Sequence, residues 1–181
     1  MLVFEETRAL HIRPVGPFDL GRVARLHRRC FTEAWSRRDL AHLLAMPGTF
    51  GLLARLQEPR RFVLDPRRDV GFAICRVAAD ESELLSIGVA PEWRGRGIAA
   101  ALLEAALARC RALGARRMFL EVDVDNRPAQ HLYERFGFTR VGLRPDYYRH
   151  ADGRRSDAWT MRRELATPEA EPIRRAAGDG V

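Results

Sequence analysis

The segment Ile87-Gly88-Val89-Ala90-Pro91-Glu92-Trp93-Arg94-Gly95-Arg96-Gly97-Ile98-Ala99 decides the fold of this chain. An apolar stretch that predicts a buried strand runs into a polar turn, and the pattern of a long helix follows from Ile98 to Leu113. The free amide groups and the positive dipole end at the start of a helix suit a phosphate group. Because Gly95 and Gly97 lack a Cβ, the backbone can approach such a ligand closely.

Two other phosphate-binding motifs do not match this turn. A Walker A loop is excluded because no Gly-Lys-Ser/Thr follows. A dinucleotide fingerprint lacks its third glycine, since Ala100 stands there, and no βαβ unit with an acidic ribose ligand is evident. The alternative to phosphate binding is a solvated turn whose arginines serve solubility.

The patterns on both sides of this segment predict strands and helices around one sheet, an α+β fold class. We predict helices at residues 18–31, 36–46, 98–113 and 126–136. We predict strands at residues 10–15, 49–56, 70–78, 83–89, 118–124, 139–143 and 157–163. The last two strands are expected to flank a loop that contains Tyr147 and Tyr148.

The composition fits one compact domain with a sizeable core, since the 181 residues are 46% hydrophobic and 30% charged. From residue 166 onward, alanine, glycine, proline and charged residues dominate, which predicts disorder. The expected organisation is an N-terminal extension at residues 1–9, a domain at 10–165 and a disordered tail at 166–181.

Several compartments and site types are disfavoured by the sequence. No apolar run approaches the roughly 20 residues of a membrane-spanning helix, and the N-terminus lacks the pattern of a secretory signal. The cysteines Cys30, Cys75 and Cys110 are odd in number and form no CxxC pair, which argues against a disulfide framework or a zinc site. We expect a cytoplasmic protein without membrane contact and without a metal.

The charge is a weaker indication of partners. The net charge is +7, and all 31 basic residues are arginine. A positive surface attracts acidic partners such as RNA, although the coding bias of a GC-rich genome explains the missing lysine. Because no aromatic-interleaved basic stripe or RNA-binding signature is present, we expect no direct nucleic-acid binding.

The turn and its flanks resemble the GNAT superfamily of acyl-coenzyme A N-acyltransferases. The segment 94–99 matches the signature Gln/Arg-x-x-Gly-x-Gly/Ala, and residues 126–138 read Asn-x-x-Ala-x-x-Leu-Tyr-x-x-x-Gly-Phe. The resemblance implies a central mixed and splayed sheet flanked by helices, with acetyl-coenzyme A as the cosubstrate. The coenzyme-binding residues that it implies are Ile87, Gly88, Val89, Gly95, Arg96, Gly97, Ile98, Ala99, Ala100 and Asn126.

Amide formation requires a base for the amine and an acid for the departing thiolate. Glu121 lies in an otherwise apolar strand, where a carboxylate is costly unless it is paired or functional. Glu121, Asn126 and Tyr133 have the spacing found in the branch of the superfamily that acetylates protein N-termini, which implies base, coenzyme contact and acid. The alternatives are a surface carboxylate or arginine partner at Glu121, a helix cap at Asn126 and a core residue at Tyr133.

Further matches resemble the ribosomal-protein-alanine N-acetyltransferase type, known as RimI. They are Trp35-Ser36 at the start of the second helix and the pair Tyr147-Tyr148. The resemblance implies that these three aromatic residues border the acceptor peptide. For the tyrosine pair, packing of a long loop is the alternative.

The acceptor that this resemblance implies is the N-terminal alanine of a small-subunit ribosomal protein. An α-amine with a pKa near ~8 is easier to deprotonate than lysine by roughly 3 kcal/mol, so a carboxylate is a sufficient base. A small-molecule amine acetyltransferase is the second possibility, and a ribosome- or RNA-binding module without catalysis is the third. We expect a monomer or a weak dimer.

Overall fold

One sheet runs through the computed structural model, which describes residues 9–57, 67–150 and 152–165. Its strands are β1 (Ala9–Pro14), β2 (Thr49–Gln57), β3 (Arg67–Ala78), β4 (Glu81–Val89), β5 (Arg117–Asp123), β6 (Thr139–Arg149) and β7 (Arg155–Glu164). The helices are α1 (Leu20–Cys30), α2 (Arg37–Leu44), α3 (Ile98–Ala112) and α4 (Arg127–Arg135). Residues 1–8 of the predicted extension and the predicted tail at 166–181 lie outside the described residues.

The strand order is β1-β2-β3-β4-β5-β7-β6. Neighbouring strands are antiparallel, except that β4 and β5 run parallel. A parallel pair needs a long crossover, and the segment that contains α3 supplies it. The predicted α+β class with a mixed sheet flanked by helices is therefore confirmed.

The parallel pair separates soon after it begins. Strand β4 pairs with β5 only from Glu81 to Leu84, opposite Arg117 to Leu120. Beyond that point β4 stays paired with β3 as far as Val89, and β5 stays paired with β7 as far as Asp123. The two halves of the sheet thus diverge, which confirms the predicted splay and leaves an opening between the ends of β4 and β5.

Helices cover both faces of the β3–β4 half. Phe72 of β3 is fully buried, and its ring contacts His27 and Phe31 at the end of α1. A Cβ built on the preceding residue, Gly71, would lie 3.0 Å from Leu102 of α3. Since successive residues of a strand point to opposite faces, α1 and α3 pack on opposite faces of the sheet.

Helix α3 packs on the sheet through its apolar face and is bounded by a glycine at each end. It begins after Gly97, which has a φ of +76°, and it is followed by Gly114, with a φ of +90°. Burying each large apolar side chain contributes about 1.5–3 kcal/mol. The buried residues of α3 are Ile98, Leu102, Leu103, Ala106, Leu107 and Cys110. None of the described helices is long and apolar enough to cross a membrane.

The tyrosine pair lies on a strand, so the predicted loop for Tyr147 and Tyr148 is wrong. Strand β6 continues to Arg149, and its pairing with β7 is interrupted between Arg144 and Tyr148. The interruption contains Pro145, which has no N–H to donate, and Asp146, which has a φ of +53°. This bulge accommodates the turn-like residues, and pairing resumes at Tyr148 opposite Ser156.

Candidate active site

The glycine turn ends in a set of free backbone donors. The first hydrogen bond of α3 runs from the Ala101 N–H to the Gly97 carbonyl, at 3.0 Å. The amides of Ile98, Ala99 and Ala100 therefore have no acceptor within the helix. Gly97 contributes no side chain at the cap, so the positive end of α3 remains accessible to an anion.

Both turn glycines are required by backbone conformation. Gly95 has a φ of +73°, and Gly97 has a φ of +76°, in the left-handed region that other residues seldom adopt. A Cβ at either position would have no atom within 4 Å. The space in front of the turn is open, which fits the close approach of a ligand.

Two arginines shape this turn from its sides. The Nε of Arg94 donates to the carbonyl of Val89, at 3.2 Å, and so ties the turn to the end of β4. The guanidinium of Arg96 lies over the ring of Trp93, 4.8 Å from its centre. Arg96 therefore has a contact within the protein that the sequence did not indicate.

The predicted coenzyme strand, residues 87–89, lies on the unpaired part of β4. Its edge towards β5 has no strand partner among the described residues after Leu84. Such an edge can bind an extended chain by backbone hydrogen bonds. Gly88 also has a packing role, because a Cβ there would lie 2.8 Å from the ring of Phe72 and 3.0 Å from the sulfur of Cys30.

Glu121 lies on β5, just past the end of its pairing with β4. Its carboxylate forms an ion pair with Arg144 of β6 and is 16% exposed. The hydroxyl of Tyr148 donates to the backbone carbonyl of Glu121, at 3.1 Å. Burial, followed by a hydrogen bond to Glu121, raises the pKa of Tyr147 to about 12. The structure thus brings three of the predicted site residues together with Arg144.

Tyr133 of α4 is buried, and its ring packs edge-on against Phe138 with centres 5.8 Å apart. Burial raises the pKa of its phenol above the usual range, so the phenol keeps its proton near neutral pH. We find no hydrogen-bond partner for the hydroxyl in the described part of the chain. The pKa of Tyr148 is also raised, mainly by burial.

Asn126 has the capping role that the sequence left open for it. Its side chain accepts the N–H of Ala129 at 3.2 Å, at the start of α4. Gln130, which sequence reasoning missed, is buried on the same helix. Its amide donates to the carbonyls of Asp123 and Val124, each at 2.9 Å, and so fixes the end of β5 to α4. A polar residue on the inner face of a predicted helix is the signal that would have found it.

Trp35 packs against α1. Its ring stacks on His27 of α1 at 4.8 Å, and among the described residues we find no ring contact between Trp35 and Tyr147 or Tyr148. Trp35 also lines a surface depression along α2. The other residues of that depression are Arg38, Asp39, Ala41, His42, Leu43 and Met46.

A group of potential metal ligands follows Glu121 on the chain. Side-chain atoms of Asp123, Asp125 and His150 lie within 4.8 Å of one another. Arg154 already bonds to Asp125 at 2.6 Å, and Ser156 contacts the His150 ring at 2.7 Å. These protein partners account for the group, and the absence of a metal stays a prediction.

The known proteins that this chain resembles are acetyltransferases. Residues 20–138 match the acetyltransferase (GNAT) family. A [ribosomal protein bS18]-alanine N-acetyltransferase of Haemophilus influenzae is 32% identical over 134 residues, which cover 72% of this chain and 90% of that protein. The protein of the same name from Haemophilus ducreyi is 37% identical over 134 residues, covering 72% and 91%.

Solved structures agree with these relatives. The ribosomal-protein-S18-alanine N-acetyltransferase of Escherichia coli superposes with a TM-score of 0.76 at 26% identity, over 90% of this chain and 98% of that one. Arabidopsis thaliana NAA60 in complex with acetyl-CoA superposes with a TM-score of 0.74 at 21% identity, over 87% and 99%. The second likeness shows the fold alone.

Proposed function

This chain belongs to the GNAT acetyltransferase family, as an N-acetyltransferase of the ribosomal-protein-alanine type, and we propose that its acceptor is the N-terminal alanine of ribosomal protein bS18. The family uses acetyl-coenzyme A. The names of the Haemophilus relatives support this acceptor, and a cytoplasmic location goes with it. The observation that carries the proposal is the opening between β4 and β5, which has free α3 amides near one strand and Glu121 on the other.

The residues of the glycine turn fit the coenzyme. The free amides of Ile98, Ala99 and Ala100, with the backbone of residues 95–97, would hold its pyrophosphate at the positive end of α3. The unpaired edge of residues 87–89 would hold the pantetheine arm by strand-like hydrogen bonds. Asn126 would contact the same arm while it caps α4. Acetyl-coenzyme A supplies the acetyl thioester.

Glu121 and Tyr133 would move the protons of the reaction. Glu121 takes a proton from the protonated acceptor α-amine, directly or through one water, and the neutral nitrogen then forms the new bond to the acetyl carbon. The carbon–sulfur bond breaks, and Tyr133 donates its phenolic proton to the departing thiolate. The nitrogen loses its second proton to water as the amide forms, and water returns a proton to Tyr133. Burial keeps the phenol of Tyr133 protonated near neutral pH, so a proton is present for transfer to the thiolate.

The aromatic residues near Glu121 would bind the acceptor peptide. Tyr147 is 46% exposed and sits at a right angle to Tyr148, with ring centres 5.1 Å apart. A tyrosine offers both an apolar face and a hydroxyl, which suits a peptide backbone. Trp35 would border the same acceptor from the α2 side.

The acceptor is tested by measuring acetylation of a peptide panel with acetyl-coenzyme A. We expect the N-terminal bS18 peptide, starting with alanine, to have the highest kcat/KM. Two matched controls are the same peptide with a blocked α-amine and an added internal lysine, and a set of free amino acids and polyamines. Faster acetylation of a small amine than of any peptide would contradict the proposal.

The tyrosine pair sharpens the same test. Loss of one peptide-binding aromatic side chain costs about 1.4 kcal/mol or more, so Tyr147→Ala and Tyr148→Ala should each raise the peptide KM roughly tenfold. Coenzyme affinity, measured by calorimetry, should stay within about twofold, because neither residue belongs to the predicted coenzyme site. An unchanged peptide KM in both folded variants would remove the pair from the acceptor site.

A further inference from the structure

His27 is a buried side chain to which the proposed chemistry gives no role. It lies in the last turn of α1 and is 3% exposed. Its ring centre is 4.6 Å from that of Phe31, 4.8 Å from that of Trp35 and 5.4 Å from that of Phe72. Two of these neighbours, Phe31 and Trp35, belong to the segment 31–36 that connects α1 with α2.

The hydrogen bonds of the ring determine where its proton resides. The backbone N–H of Trp35 donates to Nδ1 of His27, at 3.2 Å. Because an N–H can only donate, Nδ1 carries no proton, and the neutral ring holds its proton on Nε2. That nitrogen faces the hydroxyl of Ser86, at 3.4 Å. Burial lowers the pKa of His27 to about 4, so the ring is neutral near pH 7.

The two nitrogens therefore connect two parts of the proposed site. Nδ1 contacts Trp35 in the segment 31–36, which has no regular secondary structure of its own. Nε2 contacts Ser86, the residue just before the unpaired strand edge 87–89. A single rigid ring thus spans the distance between the acceptor-side segment and the strand beside the opening.

We propose that His27 is a positioning residue, which fixes segment 31–36 with Trp35 against β4 and so determines how tightly the acceptor is bound. The inference rests on the proposed function in one respect, that Trp35 borders the acceptor. A histidine that only filled the core would affect stability and leave the acceptor KM unchanged.

Three substitutions distinguish the contact of Nδ1 with Trp35 from the contact of Nε2 with Ser86. His27→Asn keeps an acceptor near the position of Nδ1, His27→Gln places its amide near Nε2 and leaves the Trp35 N–H without a partner, and His27→Phe removes both contacts. Because the Trp35 N–H would lose its acceptor, segment 31–36 would no longer be fixed against α1, and His27→Gln and His27→Phe should raise the peptide KM roughly tenfold. His27→Asn should stay within about threefold, with kcat and the coenzyme Kd close to wild type in all three.

Thermal unfolding of each variant supplies the control for stability. A folded His27→Gln protein with a wild-type peptide KM would overturn the proposal, whatever its melting temperature. Should His27→Phe fail to fold, the contrast between the Asn and Gln variants decides alone. If wild-type protein acetylates a small amine instead of the peptide, the proposed acceptor fails, and the KM of that amine across the same variants decides the role of His27.

Discussion

Two regions border the opening between β4 and β5, and they are built in different ways. The glycine turn is local, since residues 94–100 are contiguous and its donors are backbone amides. The region around Glu121 is assembled from distant parts of the chain, with Arg144, Tyr147 and Tyr148 brought to β5 by strand pairing. The turn depends on the backbone conformation of its glycines, and the Glu121 region depends on the register of the strand pairing.

This difference predicts separable functions. Changes in the turn should alter the affinity for the coenzyme, and changes around Glu121 should alter turnover or the use of the acceptor. A turn variant that changed only turnover, or a Glu121-region variant that changed the coenzyme affinity, would show that the two regions act as one unit.

The largest effect is expected from the proposed base and acid. General acid–base catalysis contributes roughly 10²–10⁴-fold, so Glu121→Gln and Tyr133→Phe should each lower kcat within that span. The coenzyme Kd should change little. The measurement is steady-state turnover with the bS18 peptide across pH.

Glu83 offers a matched control for Glu121. It is also a strand glutamate paired with an arginine, Arg76, at 3.5 Å, but it lies on the paired part of β4. Glu83→Gln should keep turnover within about twofold, because it removes an ion pair of the kind that contributes only about 0–1 kcal/mol at a surface. Near-wild-type turnover in Glu121→Gln or Tyr133→Phe would remove that residue from the mechanism.

The next effect tests the turn. Gly97→Glu would place a carboxylate where the phosphates are expected, and the loss of two or more charge-assisted hydrogen bonds weakens binding by roughly a hundredfold or more. Calorimetry with acetyl-coenzyme A measures this change.

Gly114→Glu is its matched control on the same helix. Gly114 also has a positive φ and open space around its Cβ position, but it lies at the opposite end of α3. The backbone strain is therefore similar, while the coenzyme affinity should be unchanged. If both variants lost affinity equally, general destabilisation and not the turn would be responsible.

Much of the fold and the turn could be predicted from the sequence because their signals are local. The second helix was predicted to begin at Ser36, and there the Ser36 hydroxyl accepts the Asp39 N–H at 3.2 Å. In the strand predicted at 118–124, the apolar residues Met118, Leu120 and Val122 are buried in β5 and the residues between them are half-buried. Glycine conformations at the helix ends follow from the residue type alone.

The Glu121 region was less accessible for a physical reason. The sequence predicted a loop for Tyr147 and Tyr148, whereas the structure has a bulge at Pro145 and Asp146, after which pairing resumes at Tyr148. The partnership of Glu121 with Arg144 depends on that register, and 31 arginines offered no way to choose one partner. His27 was equally hidden, because its role follows from the distance between α1 and β4.

The smallest expected effect concerns Arg144. Its guanidinium pairs with Glu121 and lies 5.2 Å from the centre of the Tyr147 ring, while its side chain is 57% exposed. In the proposed mechanism, the acceptor amine would have to replace this partner before Glu121 takes its proton. Removing the competitor in Arg144→Gln should lower the peptide KM by about two- to fivefold, because an exposed ion pair contributes about 0–1 kcal/mol.

The pair of Arg13 and Asp19 shows what a purely structural ion pair would do. Two short hydrogen bonds, at 2.7 and 2.6 Å, join them, and the bond from Arg13 lowers the pKa of Asp19 to about 2. Asp19→Asn should reduce the free energy of unfolding near pH 7 and leave the peptide KM unchanged. Its stabilisation is present above the ordinary carboxyl pKa and is lost as pH falls towards 2. If Arg144→Gln behaved in this way, with lower stability and an unchanged peptide KM, Arg144 would be a structural partner of Glu121 and the acceptor would not compete with it.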